Sequence, residues 1–83
     1  MFINKSKAGA NNICGKWVAF YRKQMYPKVS QRMLAEMLQI AGLDVDKNTI
    51  QRIESGKRFV TDIELSVLAQ VLKVEVTQLL RDE

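Results

Sequence analysis

The sequence predicts an all-α fold of five helices in one compact domain. Three observations carry that expectation. From residue 12 onward apolar residues recur at helical spacing, in segments separated by capping residues, Gly or Pro. Three times, an apolar residue just before a helix cap is matched by one at the fourth helical position: Val29 with Leu34, Val45 with Ile50, and Val60 with Leu65. No segment alternates with period two, and no internal repeat is present.

Residues 1–11 have no periodicity and carry Lys5, Lys7 and small polar residues, which predicts a flexible N-terminal arm ahead of a domain spanning 12–83. Ile13, Trp17, Phe20 and Tyr21, widened by Val18 and Met25, form the stripe of a first helix from about Asn12 to Gln24. Pro27 ends it by disfavouring helical geometry at the residue before it. Ser30 then caps a second helix with an apolar face of Met33, Leu34, Met37, Leu38 and Ala41, closed by Gly42. Asp46 caps a third helix anchored by Ile50 and Ile53, with Gly56 just past its end. Thr61 and Glu64 make a capping box for a fourth helix, about Thr61 to Lys73, in which Ile63, Leu65, Leu68, Val71 and Leu72 continue the apolar pattern. Val76, Leu79 and Leu80 indicate a short fifth helix behind Glu75.

Composition narrows the function. Apolar residues are 47% and charged residues 27% of the 83, ordinary for a globular protein and too apolar for a disordered one. The longest wholly apolar run, "WVAFY", is far short of the ~20 residues a bilayer span needs, and no signal-peptide core precedes it, so a cytoplasmic protein is expected. With one cysteine, Cys14, and no histidine, neither an internal disulfide nor an ordinary metal site can be built, and no cofactor is expected. No Gly-rich phosphate loop or paired acid arrangement suggests an enzyme. The net charge of +4 is uneven: residues 1–43 hold seven Lys or Arg against Glu36 alone, which suits a polyanionic partner.

The stretch "KNTIQRIESGKR", residues 47–58, is the most informative. At 100° per residue from Lys47, Ile50 and Ile53 fall at about 300° and about 240°, whereas Lys47, Asn48, Gln51, Arg52 and Ser55 fall between about 0° and about 140°. A merely solvated helix would favour Glu and Lys pairs. Here the ridge has no carboxylate, and its amides can pair with adenine and its cations with guanine. Glu54, at about 340°, sits at the edge of the buried side and needs a partner, for which Arg22 late in helix one is the candidate.

Taken together, "VSQRMLAEML", "NTIQRIESGKR" and "IELSVLAQVLKVEVTQLL" resemble the Cro/C1-type, or XRE-like, helix-turn-helix family of prokaryotic and phage regulators. The resemblance implies a lambda-repressor-like domain of five helices, in which helix three, about 46–55, enters the major groove and helix two crosses the backbone. It implies base contacts from Lys47, Asn48, Gln51 and Arg52, with Thr49 at the margin. Ser30 at the start of helix two, Lys57 and Arg58 would meet backbone phosphate, while Gln31 would meet phosphate or brace the recognition helix. Arg22 with Glu54 matches a structural ion pair, and Ala35 matches the small residue that lets helices two and three approach. The chain departs from the family in its connection between helices two and three, which is longer than the usual tight turn and bears on the angle of helix three.

The expected function is therefore a sequence-specific double-stranded DNA-binding transcriptional regulator, a repressor, acting as a homodimer at least on DNA and on a palindromic operator. No separate oligomerisation domain is expected in 83 residues, which would leave dimer contact to helix five through Val76, Leu79 and Leu80, or to association on DNA only. The alternative is a protein-binding module on the same fold, such as an antitoxin-like or complex-assembly subunit.

Overall fold

The computed structural model describes residues 10–81. Among them are five helices: α1 (Gly15–Gln24), α2 (Gln31–Ile40), α3 (Lys47–Glu54), α4 (Asp62–Leu72) and α5 (Val76–Leu79). Residues 1–9, most of the expected arm, lie outside the described residues. Asn11, the last residue of that arm as the sequence has it, is hydrogen bonded through its backbone N–H to the Gly56 carbonyl at 2.8 Å.

The caps act as their residue types require. The Ser30 hydroxyl accepts from the Met33 amide at 3.1 Å, and the Thr61–Glu64 capping box is closed in both directions. Gln78 closes the entry to α5 by accepting from the Glu75 amide at 2.7 Å. All six staple residues are buried, Val29, Leu34, Val45, Ile50, Val60 and Leu65. Each staple therefore fixes the entry angle of a helix and contributes to the common core with Leu38, Ile53, Leu68, Leu72 and Leu79. α3 packs on both α2 and α1, while α4 and α5 close the opposite side against α1. Ala35, 3% exposed, lies in the core on α2.

Three sequence expectations need correction. α1 starts at Gly15, not Asn12, because the Asn12 Oδ1 accepts from the Gly15 amide at 2.7 Å and Asn12 so caps the helix from outside it. The aromatic stripe of α1 is not its buried face. Cys14, Gly15 and Val18 are buried, whereas Phe20 is exposed and Trp17 and Tyr21 are half-buried on the flank. α1 runs close to α3 at this end: a Cβ on Gly15 would clash with the Ile53 carbonyl oxygen, so no side chain fits at that position. Met33 and Ile63 likewise lie outside the core, the latter 64% exposed.

The connection from α2 to α3, residues 41–46, is ordered by its own backbone. Gly42 adopts φ +98°, its N–H reaches the Gln39 carbonyl at 3.0 Å, and Leu43 N–H reaches the Leu38 carbonyl at 2.9 Å. This is a Schellman turn, clasped by half-buried Leu43 packed on the core. Gln39 Nε2 then donates to the Val45 carbonyl at 2.6 Å, holding the far end of the connection to α2.

Candidate nucleic-acid interface

Helix α3 forms because Asp46 supplies an acceptor for its first turn: Oδ1 accepts from the Thr49 amide at 2.8 Å and from the Thr49 hydroxyl at 3.0 Å. Those bonds, the amide's first and the hydroxyl's second, hold the Asp46 carboxyl below the usual aspartate range. The Asp46 charge is thus turned onto the helix start, where the macrodipole favours it. Ile50 and Ile53 are buried, and Lys47, Asn48, Gln51 and Arg52 are exposed together on the other side. Thr49 is half-buried with its hydroxyl committed to Asp46.

What fixes the azimuth of that ridge is a polar node beneath it. Arg22 Nε lies 2.7 Å from Glu54 Oε2, and Nη2 lies 3.0 Å from Oε1. The remaining Nη1 donates to the Val29 carbonyl at 3.0 Å, and Gln31 Nε2 donates to Glu54 Oε1 at 2.9 Å. One carboxylate on α3 therefore gathers α1, the approach to α2 and the first residue of α2. The Arg22 and Glu54 side chains are only 11% and 8% accessible. Bidentate geometry with an added amide donor is the arrangement in which such a buried pair is tolerable. Gln31 is placed to brace α3 by this bond. Among the described residues no buried side-chain nitrogen or oxygen lacks a partner.

Beyond α3, Gly56 at φ +80° ends the helix, and Lys57 is exposed in the loop that follows. Arg58 is half-buried, its Nη1 and Nη2 on Glu64 Oε1 and Oε2 at 3.1 and 3.0 Å. Burial alone would raise the Glu64 carboxyl; the Arg58 guanidinium and the Thr61 amide and hydroxyl outweigh it, leaving Glu64 below the usual glutamate range. Ser30 is exposed at the start of α2, its hydroxyl engaged as the cap. The structure thus collects Lys47, Asn48, Gln51 and Arg52 on one ridge, and places Arg58 in an intramolecular ion pair.

Sequence reasoning missed Asn12, which is 3% exposed and donates through Nδ2 to the Ile53 and Arg58 carbonyls at 3.2 and 2.7 Å. Its spacing of three residues to Gly15 is a capping signal, hidden in a run of small polar residues. It also missed the lateral aromatic cluster, where Trp17 Nε1 donates to the Arg81 carbonyl at 2.6 Å. The Arg81 guanidinium lies 4.8 Å from the centre of the Trp17 ring.

A capped α2, a buried braced α3 and an uncommitted polar ridge define a helix-turn-helix domain. The sequence profile of the helix-turn-helix family matches residues 28–79, and the chain belongs to that family in its Cro/C1-type, XRE-like branch, whose members are DNA-binding regulators. No match was found among curated proteins or among solved structures. No helix among the described residues is long and apolar enough to cross a membrane.

Proposed function

We propose that this protein is a sequence-specific transcriptional repressor that reads the DNA major groove with α3. The observation that carries the proposal is the exposed, carboxylate-free ridge of Lys47, Asn48, Gln51 and Arg52 on a helix fixed from beneath by Arg22, Gln31 and Glu54. Asn48 and Gln51 supply amides suited to adenine, and Lys47 and Arg52 supply donors suited to guanine O6 and N7. Thr49 offers its methyl group to a thymine at the margin of the ridge. Lys57 and the Ser30 start of α2 grip phosphate, and Gln31 and Arg58 hold the elements that present them. Lys5 and Lys7 add positive charge to the sequence ahead of α1.

The chain acts as a homodimer on a palindromic operator, with half-sites about one turn, ~34 Å, apart. Leu79 takes no part in dimer contact: it is fully buried in the core of its own chain, so α5 cannot offer it to a partner as the sequence reading expected. The test is selection of bound duplexes from a random-sequence pool at low salt, followed by affinity against salt concentration. A recovered palindrome and a steep fall of affinity with salt support the proposal. Absence of any enriched sequence, with flat or no binding at low salt, overturns it in favour of a protein-binding module.

A further inference from the structure

The α3–α4 loop is held from outside by residues that the family match does not include. Helices α2 and α3 end in the same Schellman turn. In α3, Gly56 N–H reaches the Ile53 carbonyl at 3.0 Å and Lys57 N–H reaches the Arg52 carbonyl at 2.9 Å. Such turns commonly carry an apolar contact between the second residue past the cap and the last turn. Leu43 fills that position after α2, packed on the core. After α3 the position is Lys57, paired in register with Arg52, and both are exposed. The turn that presents Lys57 therefore lacks the apolar clasp that its counterpart has.

Asn11 and Asn12 stand in for that clasp. Asn11 N–H donates to the Gly56 carbonyl at 2.8 Å, and Asn11 Nδ2 donates to the Lys57 carbonyl at 2.8 Å. Asn12 Nδ2 donates to the Arg58 carbonyl at 2.7 Å and to the Ile53 carbonyl at 3.2 Å. Three consecutive carbonyls of the loop and one of α3 are thus held by two adjacent residues. Asn12 is itself fixed, because its Oδ1 caps α1 on the Gly15 amide. Both residues precede the matched segment 28–79.

We infer that Asn11 and Asn12 are positioning residues for the DNA grip: they order the α3–α4 loop so that Lys57 meets a backbone phosphate without first losing loop freedom. This inference rests on the proposed role of Lys57 in phosphate contact. An ordered loop binds more tightly because less conformational entropy remains to be lost on association. Asn11 acts through Lys57, so its effect vanishes once Lys57 is gone.

The experiment is a double-mutant cycle on the full chain, with wild type, Asn11→Ala, Lys57→Ala and the double variant titrated against a mixed-sequence duplex over a range of salt. Lys57→Ala should flatten the salt slope by about one unit. Asn11→Ala should weaken binding roughly two- to ten-fold, the factor corresponding to one hydrogen bond. In the Lys57→Ala background it should add nothing. Amide hydrogen exchange in free Asn11→Ala should accelerate at Lys57 and Arg58 while the α2 and α4 amides keep wild-type rates. Additive losses would mean that Asn11 touches DNA itself and overturn the inference. Wild-type binding and exchange in Asn11→Ala overturn it too, as does general loss of protection, which marks a merely structural role. Where Lys57→Ala flattens the slope and Asn11→Ala leaves the affinity at the wild-type value, the inference alone fails; where wild type does not bind, the proposed function fails with it.

Discussion

Gly15 shows how a single residue sets the spacing of two helices. An alanine in a helix is ordinarily worth about 1 kcal/mol over glycine, yet here its Cβ would clash with the Ile53 carbonyl oxygen, a backbone atom. The clash outweighs propensity, so Gly15→Ala should lower stability by about 3 kcal/mol, read as a depressed urea midpoint with unchanged slope. Lys73 presents the opposite case: it ends α4 at φ 61°, a conformation that costs a side chain roughly 1 kcal/mol. Lys73→Gly should therefore raise stability by about 0.5–1 kcal/mol, read as a higher urea midpoint. On the ridge proposed to read bases, Arg52→Ala should cost about 1–3 kcal/mol against the selected site and relax its specificity, as competition between cognate and mixed duplexes would report. Equal losses on both duplexes would make Arg52 a phosphate contact only. The ridge was legible in the sequence because helical spacing alone separates Lys47 and Gln51 from Ile50 and Ile53. Gly15 was not, since the need for a missing side chain arises only once α1 and α3 meet.

At the scale of the element, α3 is a short helix whose orientation depends on groups outside it. Two isoleucines bury its inner face, and the Arg22–Glu54–Gln31 node resists rotation about its axis. Removing one partner of a buried pair leaves the other charged and uncompensated, so Glu54→Ala should cost about 3 kcal/mol. For a domain of this size that is a fall in Tm on the order of 10 °C or more, measurable by circular dichroism. The staples and caps of α2, α3 and α4 could be read directly, because each involves residues within five positions of one another. The buried face of α1 could not: hydropathy points to Trp17, Phe20 and Tyr21, whereas the buried positions are Cys14, Gly15 and Val18, and at Gly15 the approach of α3 leaves no room for a side chain. Similarly, the extra length before Asp46 was evident in the sequence. The bond from Gln39 to the Val45 carbonyl that ties that length down was not.

For the whole molecule, acid sensitivity follows from the link between α4 and the loop before it. The folded Glu64 carboxyl titrates below its ordinary value of 4.5, so its ion pair with Arg58 stabilises the fold above that pH. The contribution is lost as pH falls from about 4.5 through the lower folded value. Glu64→Gln should thus show a lower Tm than wild type at pH 7 and a shallower decline between pH 5 and pH 3, converging at the acid end. A parallel pair of curves would sink this account. The same global cooperativity can be watched from within, through the one thiol in the chain. Cys14 is 0% exposed between α1 and the core, and burial pushes its thiol up to about 12. A closed molecule therefore offers a thiol reagent neither access nor a thiolate. Labelling can proceed only when the start of α1 opens and uncovers Cys14, so its rate serves as a native clock for the opening of the helix that carries Arg22.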